Sequence, residues 1–118
     1  MSDHTVVKTI MDYIEQHLDD NLSLDKIAEE FNYSKFYIAR MFAENTEYTV
    51  YKYIQELRLA RAARALVETD QPIIEIAYEA HYSSQQAFTL AFSRLYLCTP
   101  QTYRKNHTVC RLEGRMAA

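Results

Sequence analysis

The sequence predicts an all-α protein of about seven helices, organised as two helix-turn-helix subdomains joined by a long linker helix. Three observations carry that prediction. Apolar residues recur at three- and four-residue spacing, and strand-like alternation persists nowhere. Serine, aspartate, asparagine and proline stand where helices should start and stop. One segment of the chain occurs twice.

In VVKTIMDYIEQHL, the residues Val7, Ile10, Met11, Ile14 and Leu18 share one face, as in a helix with one buried side. Asp19, Asp20 and Asn21 break the chain. Ser23 can cap a helix beginning at Leu24 and Ser34 another beginning at Lys35, which makes two short helices across a three-residue turn. Beyond ENTEYT, the twenty residues VYKYIQELRLARAARALVET contain neither glycine nor proline and are rich in alanine, leucine and arginine. They predict a helix about 30 Å long at ~1.5 Å per residue. DQP stops and restarts the chain, with Pro72 suited to a first helical turn. A last helix should begin near Thr99 and Pro100 and pass through Tyr103. The resulting boundaries are a first subdomain over 5–48, the linker helix over 49–69, a second subdomain over 70–107 and a flexible tail over 108–118.

The repeat is the most informative feature. KIAEEFNYSKFYIARMF and EIAYEAHYSSQQAFTLAF pair Ile27 with Ile76, Ala28 with Ala77, Glu30 with Glu79 and Tyr33 with Tyr82 at an offset of 49. After one inserted serine the offset becomes 50 and pairs Ser34 with Ser84, Ile38 with Phe88 and Phe42 with Phe92. Short helix, tight turn and second helix, with a small alanine where the helices cross, is the helix-turn-helix pattern. Its turn needs a residue that tolerates positive φ, and Asn32 and His81 stand there, both of types enriched in the left-handed region.

Composition bounds the function. The 118 residues, 48% of them hydrophobic, suffice for one domain or two very small ones. No apolar run approaches the roughly 18 residues of a membrane span, and the N-terminal stretch lacks the basic and apolar regions of a signal peptide, so the expected location is cytoplasmic. Cys98 and Cys110 are the only cysteines, and His107 with Cys110 lacks a second ligand pair at zinc-like spacing, so no metal is expected. No nucleophile, base and orienting acid stand in an enzyme motif, and the single glycine, Gly114, excludes Gly-rich phosphate loops. The chain reads as neither an enzyme nor a cofactor binder. Its net charge of −3 is unevenly spread, at −6 over residues 1–34 and +3 over 35–118, which leaves room for a basic face on an acidic molecule.

Taken together, SLDKIAEEFNYSKFYIARMF, YKYIQELRLARAARAL, PIIEIAYEAHYSSQQAFTLAF and TPQTYRK resemble, in order and spacing, the AraC/XylS family of bacterial transcription regulators, and most closely its small MarA, SoxS and Rob group, over about residues 5–106. The resemblance implies that the second helix of each helix-turn-helix enters the DNA major groove. A stiff linker of about 30 Å suits the ~34 Å between successive major-groove faces on one side of B-DNA, so one monomer can grip a site. It further implies that Lys35, Phe36, Ala39 and Arg40 lie at DNA. Arg40 suits a guanine edge or a phosphate, Lys35 a phosphate, and Phe36 a thymine methyl. The alternative for these residues is that Phe36 packs inward and Arg40 is a solvated charge. Ala39 departs from the relatives, which carry a polar base-reading side chain there.

In the second head, Ser84, Gln85 and Gln86 match the relatives' Ser-Gln-Gln run, and glutamine can pair with adenine N6 and N7. Thr89 suits a phosphate or a methyl. Leu90 replaces the relatives' arginine, which removes a charge and a guanine reader together and shifts the second head towards phosphate contacts. Arg94, Arg104 and Lys105 are the further phosphate candidates, since residues 80–118 hold five bases against one acid. Arg58, Arg61 and Arg64 on the linker either reach phosphates or are solvated. Ile27, Ala28, Phe31, Ile38, Phe42, Ile54, Leu59, Leu66, Ile76, Ala77, Phe88, Phe92 and Tyr103 are expected in the core, and Tyr33 and Tyr82 pack on their helix pairs.

The expected function is sequence-specific binding of double-stranded promoter DNA by a transcription regulator, an activator as the resembled group mostly is, meeting RNA polymerase through another surface such as the acidic N-terminal third. The chain has no room for a separate small-molecule-sensing domain, so either its abundance is the signal or it is part of something longer. The rival expectation is a protein-interaction module that keeps the fold and has lost DNA reading, supported by the acidic balance, Ala39 and Leu90.

Overall fold

A computed structural model describes residues 2–107. Its helices are α1 (Asp3–Gln16), α2 (Leu24–Phe31), α3 (Lys35–Asn45), α4 (Val50–Glu68), α5 (Ile73–Glu79), α6 (Gln85–Tyr96) and α7 over residues 100–107, with no strand among the described residues. The all-α prediction with seven helices stands. The tail predicted over 108–118, and with it Cys110, lies outside the described residues.

Hydroxyl caps start most of these helices. The Oγ atoms of Ser2, Ser23, Ser34 and Ser84 accept from the backbone N–H of Thr5, Lys26, Tyr37 and Ala87 at 3.0–3.2 Å, each satisfying one of the donors left open at a helix start. Thr49 and Thr99 do the same for Lys52 and Thr102. Pro72 stands at the N-cap of α5, one position before the first helical turn. α1 begins at Asp3, earlier than the apolar pattern alone indicates, because Ser2 caps it. α4 ends at Glu68, and the Thr69 hydroxyl folds back onto the Ala65 carbonyl at 2.6 Å.

The described residues divide into two compact units between Leu57 and Arg58. In the first, Val6, Val7, Ile10 and Ile14 of α1 pack with Ile27 and Ala28 of α2 and with Ile38, Met41 and Phe42 of α3, closed by Val50, Tyr53 and Ile54. In the second, Leu59, Ala62, Ala63 and Leu66 pack with Ile76, Ala77 and Ala80 of α5 and with Phe88 and Phe92 of α6. The length of α4 therefore contributes to both cores. Phe31 and Tyr103, expected in the core, are only half-buried against its edges.

The two turns repeat at the level of hydrogen bonds. Asn32 has φ 58° and His81 φ 68°, so both adopt the left-handed conformation that their place in the repeat requires. The N–H of Tyr33 then donates to the Ala28 carbonyl at 3.0 Å and that of Tyr82 to the Ala77 carbonyl at 3.1 Å, the long-loop bond of a Schellman cap in each unit. The tyrosines diverge. Tyr82 meets Phe88 edge-on in the second core, whereas Tyr33 is 37% exposed and leans on Tyr37 rather than on the core. A further correspondence went unread in the sequence: His17 stacks on Tyr13 and His107 on Tyr103, each pair with centroids 4.0 Å apart and the histidine Nδ1 at the tyrosine carbonyl.

Candidate nucleic-acid interface

α3 buries Ile38, Met41 and Phe42, which turns Lys35, Phe36, Ala39 and Arg40 to solvent. Phe36 is 76% exposed, so it does not pack inward. Its ring lies 5.5 Å from the Lys35 ammonium, which also meets the Asp25 carboxylate of α2 at 3.5 Å. Both partners of that ion pair are about half exposed or more, so it adds little stability but gives Lys35 a neighbour that competes with a phosphate. The Arg40 guanidinium lies 5.7 Å from the centre of the Tyr37 ring, and the Tyr37 hydroxyl donates to Asp3 of α1 at 3.2 Å. Burial first, and then the Asp3 carboxylate, push the Tyr37 phenol above its usual range. Tyr37 and Asp3 were not singled out from the sequence. Tyr37 was within reach of such a reading, because it stands three residues before Arg40 on one helix side.

α6 buries Phe88 and Phe92 and presents Gln85, Gln86, Thr89, Leu90 and Ser93, which line an open concavity on its outer face. Gln85, Gln86 and Leu90 are exposed and Thr89 is half-buried. No hydrogen bond engages either glutamine amide among the described residues. Ser84 holds the helix start through its oxygen, which leaves its hydroxyl hydrogen to donate elsewhere. Ser93 belongs to the same face and was missed, although it stands one turn beyond Thr89.

The two rows are the same row. The offset of 50 that aligns the helix caps carries Lys35 onto Gln85, Phe36 onto Gln86, Ala39 onto Thr89 and Arg40 onto Leu90. Because Ile38 and Phe42 are buried as Phe88 and Phe92 are, the matched residues occupy matched outer faces.

The remaining cations part company. Arg94, in the last turn of α6, and Lys105, on α7, are exposed. Arg104 is not a free cation: its Nε donates to the Leu66 carbonyl at 2.9 Å and its Nη2 to the Gln71 carbonyl at 2.7 Å. It clamps α7 to the last turn of α4 and to the chain beyond it, satisfying the Leu66 carbonyl that the helix end leaves open. Nothing local announces these bonds, since Leu66 lies 38 residues away in sequence. Arg64 pairs with Glu68 one turn on at 3.6 Å.

Among the described residues no helix is long and apolar enough to cross a membrane, and no group of three or more potential ligands is placed to hold a metal ion.

A family model described as a helix-turn-helix domain matches residues 27–106. Regulatory protein SoxS of Salmonella typhimurium is 39% identical over 104 residues, an alignment covering 88% of this chain and 97% of SoxS. Transcriptional regulator Rob of the same organism is 39% identical over 101 residues, covering 86% of this chain and 35% of Rob, so the chain corresponds to about a third of that larger relative. Among solved structures, a transcriptional regulator from Chromobacterium violaceum, described as containing an AraC-type DNA-binding domain, superposes with a TM-score of 0.81 at 27% identity, covering 86% of this chain and 90% of that one.

Proposed function

The chain belongs to the AraC/XylS family of DNA-binding transcription regulators, alongside SoxS and Rob, and from that premise we propose that it recognises a specific promoter sequence as a monomer, inserting α3 and α6 into successive major-groove segments of double-stranded DNA. The observation that carries this reading is the pair of matched outer faces, 35–40 on α3 and 85–90 on α6, held outward by equivalent buried residues at 38 and 42 and at 88 and 92. Arg40, steadied over Tyr37, reads a guanine edge or grips a phosphate, Lys35 takes a phosphate and Phe36 meets a thymine methyl. Gln85 and Gln86 pair with adenine edges, the Ser84 hydroxyl donates to a phosphate, and Arg94 and Lys105 add phosphate contacts. Ala39 adds close approach without a polar reader, and Thr89 supplies a hydroxyl or a methyl. Arg104 positions the second head through its bonds to the Leu66 and Gln71 carbonyls. The proposed setting is the bacterial cytoplasm, with activation through RNA polymerase, the acidic N-terminal third being the surface opposite in charge to the DNA face.

Fragments of bacterial genomic DNA selected on the immobilised protein supply the operator. Titration of operator and random duplex at two salt concentrations then tests the reading. A DNA reader prefers the operator and weakens steeply with salt as counterions are released. Weak binding with no such preference would make the chain an interaction module that keeps the fold alone.

A further inference from the structure

The outer face of α6 differs chemically from that of α3 in one decisive way. From Gln85 to Ser93 it carries no charged side chain, whereas the matched positions on α3 hold Lys35 and Arg40. What it offers is two free amides, the hydroxyl and methyl of Thr89, and the isobutyl group of Leu90, which is 55% exposed. Leu90 occupies the position of Arg40 in the repeat, so the side chain placed to meet a base edge in the second head is apolar.

An isobutyl group can neither donate to guanine O6 and N7 nor accept from cytosine N4, and set against either it would leave a base polar group dry and unpaired. The one apolar group on an unmodified base in the major groove is the C5 methyl of thymine. The neighbouring glutamines suit adenine. We propose that α6 reads an A·T-containing segment in which Leu90 packs on a thymine methyl, so that the two heads of one chain prefer different base compositions. Leu90 is then a specificity-determining residue rather than a vacancy in the second head. The inference rests on the DNA-binding reading above and adds the identity of the base group recognised.

The test uses the full chain, its Leu90→Ala variant and the selected operator, with each thymine replaced in turn by deoxyuracil, which removes only the C5 methyl. Burial of one methyl corresponds to a roughly fourfold change in affinity. The expected result is one thymine, or two adjacent ones, in the segment covered by α6 whose replacement weakens the native chain about fourfold and leaves Leu90→Ala unaffected. Comparison with the variant removes any effect of uracil on DNA stiffness, because that would be felt by both proteins. Tight operator binding indifferent to every uracil in the segment covered by α6, or losses there that are equal in both proteins, would overturn the Leu90 assignment and leave DNA recognition standing. A native chain that does not distinguish operator from random duplex would overturn both.

Discussion

Gln85 and Gln86 open α6 with exposed side chains, and alanine is the better helix former, so replacing both with alanine leaves the fold nearly intact. Binding is the readout. Operator affinity is expected to fall by about 1–3 kcal/mol for each amide–adenine pairing removed, with random-duplex affinity almost unchanged, as measured by parallel titrations. Equal weakening on both duplexes would assign the amides to the DNA backbone, and no weakening would return them to solvent. Leu90→Arg is the complementary test by addition. It restores to α6 the charge that Arg40 gives α3, so general DNA affinity should rise and the salt dependence steepen by roughly one counterion. An unchanged slope would place position 90 away from DNA. These residues were legible because outward position follows from helical period and from the buried partners at 88 and 92. The Arg104 clamp was not, because its partners are carbonyls of a distant segment.

At the scale of the elements, helix starts were readable where a serine announces them, and the left-handed turn residues were readable where asparagine and histidine stand in a repeat that demands them. Leu97 shows the limit. It closes α6 at φ 62° while 86% exposed, and leucine carries no signal for that conformation. A residue with a Cβ loses about 1–2 kcal/mol there, so Leu97→Gly should raise stability by about 1 kcal/mol, the N–H bond to the Ser93 carbonyl being kept. Urea midpoints of the two proteins check this, and a lower midpoint for the glycine variant would mean that the Leu97 side chain packs rather than standing in solvent. Between α1 and α4, the Tyr53 hydroxyl donates to the Glu15 carboxylate at 3.1 Å. Burial first, and then that carboxylate, push the Tyr53 phenol up to about 12. The folded state thus holds the proton more tightly than the unfolded chain. The contribution to stability is complete below pH 10 and is lost as pH rises towards 12. Tyr53→Phe should therefore be less stable than the native chain at neutral pH and should lose less between about pH 9 and 12, as followed by denaturant midpoints. Parallel declines would show that folding does not raise the Tyr53 pKa.

The architecture of the whole molecule follows from one duplicated unit and one uninterrupted helical stretch, and both are visible in the sequence because a repeat and an absence of glycine and proline need no tertiary information. What the sequence could not show is how α4 is shared. Its period is that of any alanine-rich helix, and only the packing reveals that Val50, Tyr53 and Ile54 enter one core and Leu59, Ala62, Ala63 and Leu66 the other. Ala60 is exposed, outside both clusters, which makes it the place to interrupt the helix without opening either core. Proline at 60 removes an N–H and clashes with the carbonyl of Glu56, at a cost of ~3 kcal/mol or more. Both cores keep all their side chains, so each head should still fold, and near-native helix content by circular dichroism checks that first. If operator recognition requires both heads on one stiff element, Ala60→Pro should lose more affinity for operator than for random duplex, because random binding needs only phosphate contacts from either head. A folded variant with native operator affinity would show instead that the heads bind independently or that one of them carries the binding alone, and the second possibility is separable because Leu90→Arg and the double glutamine variant act only on α6.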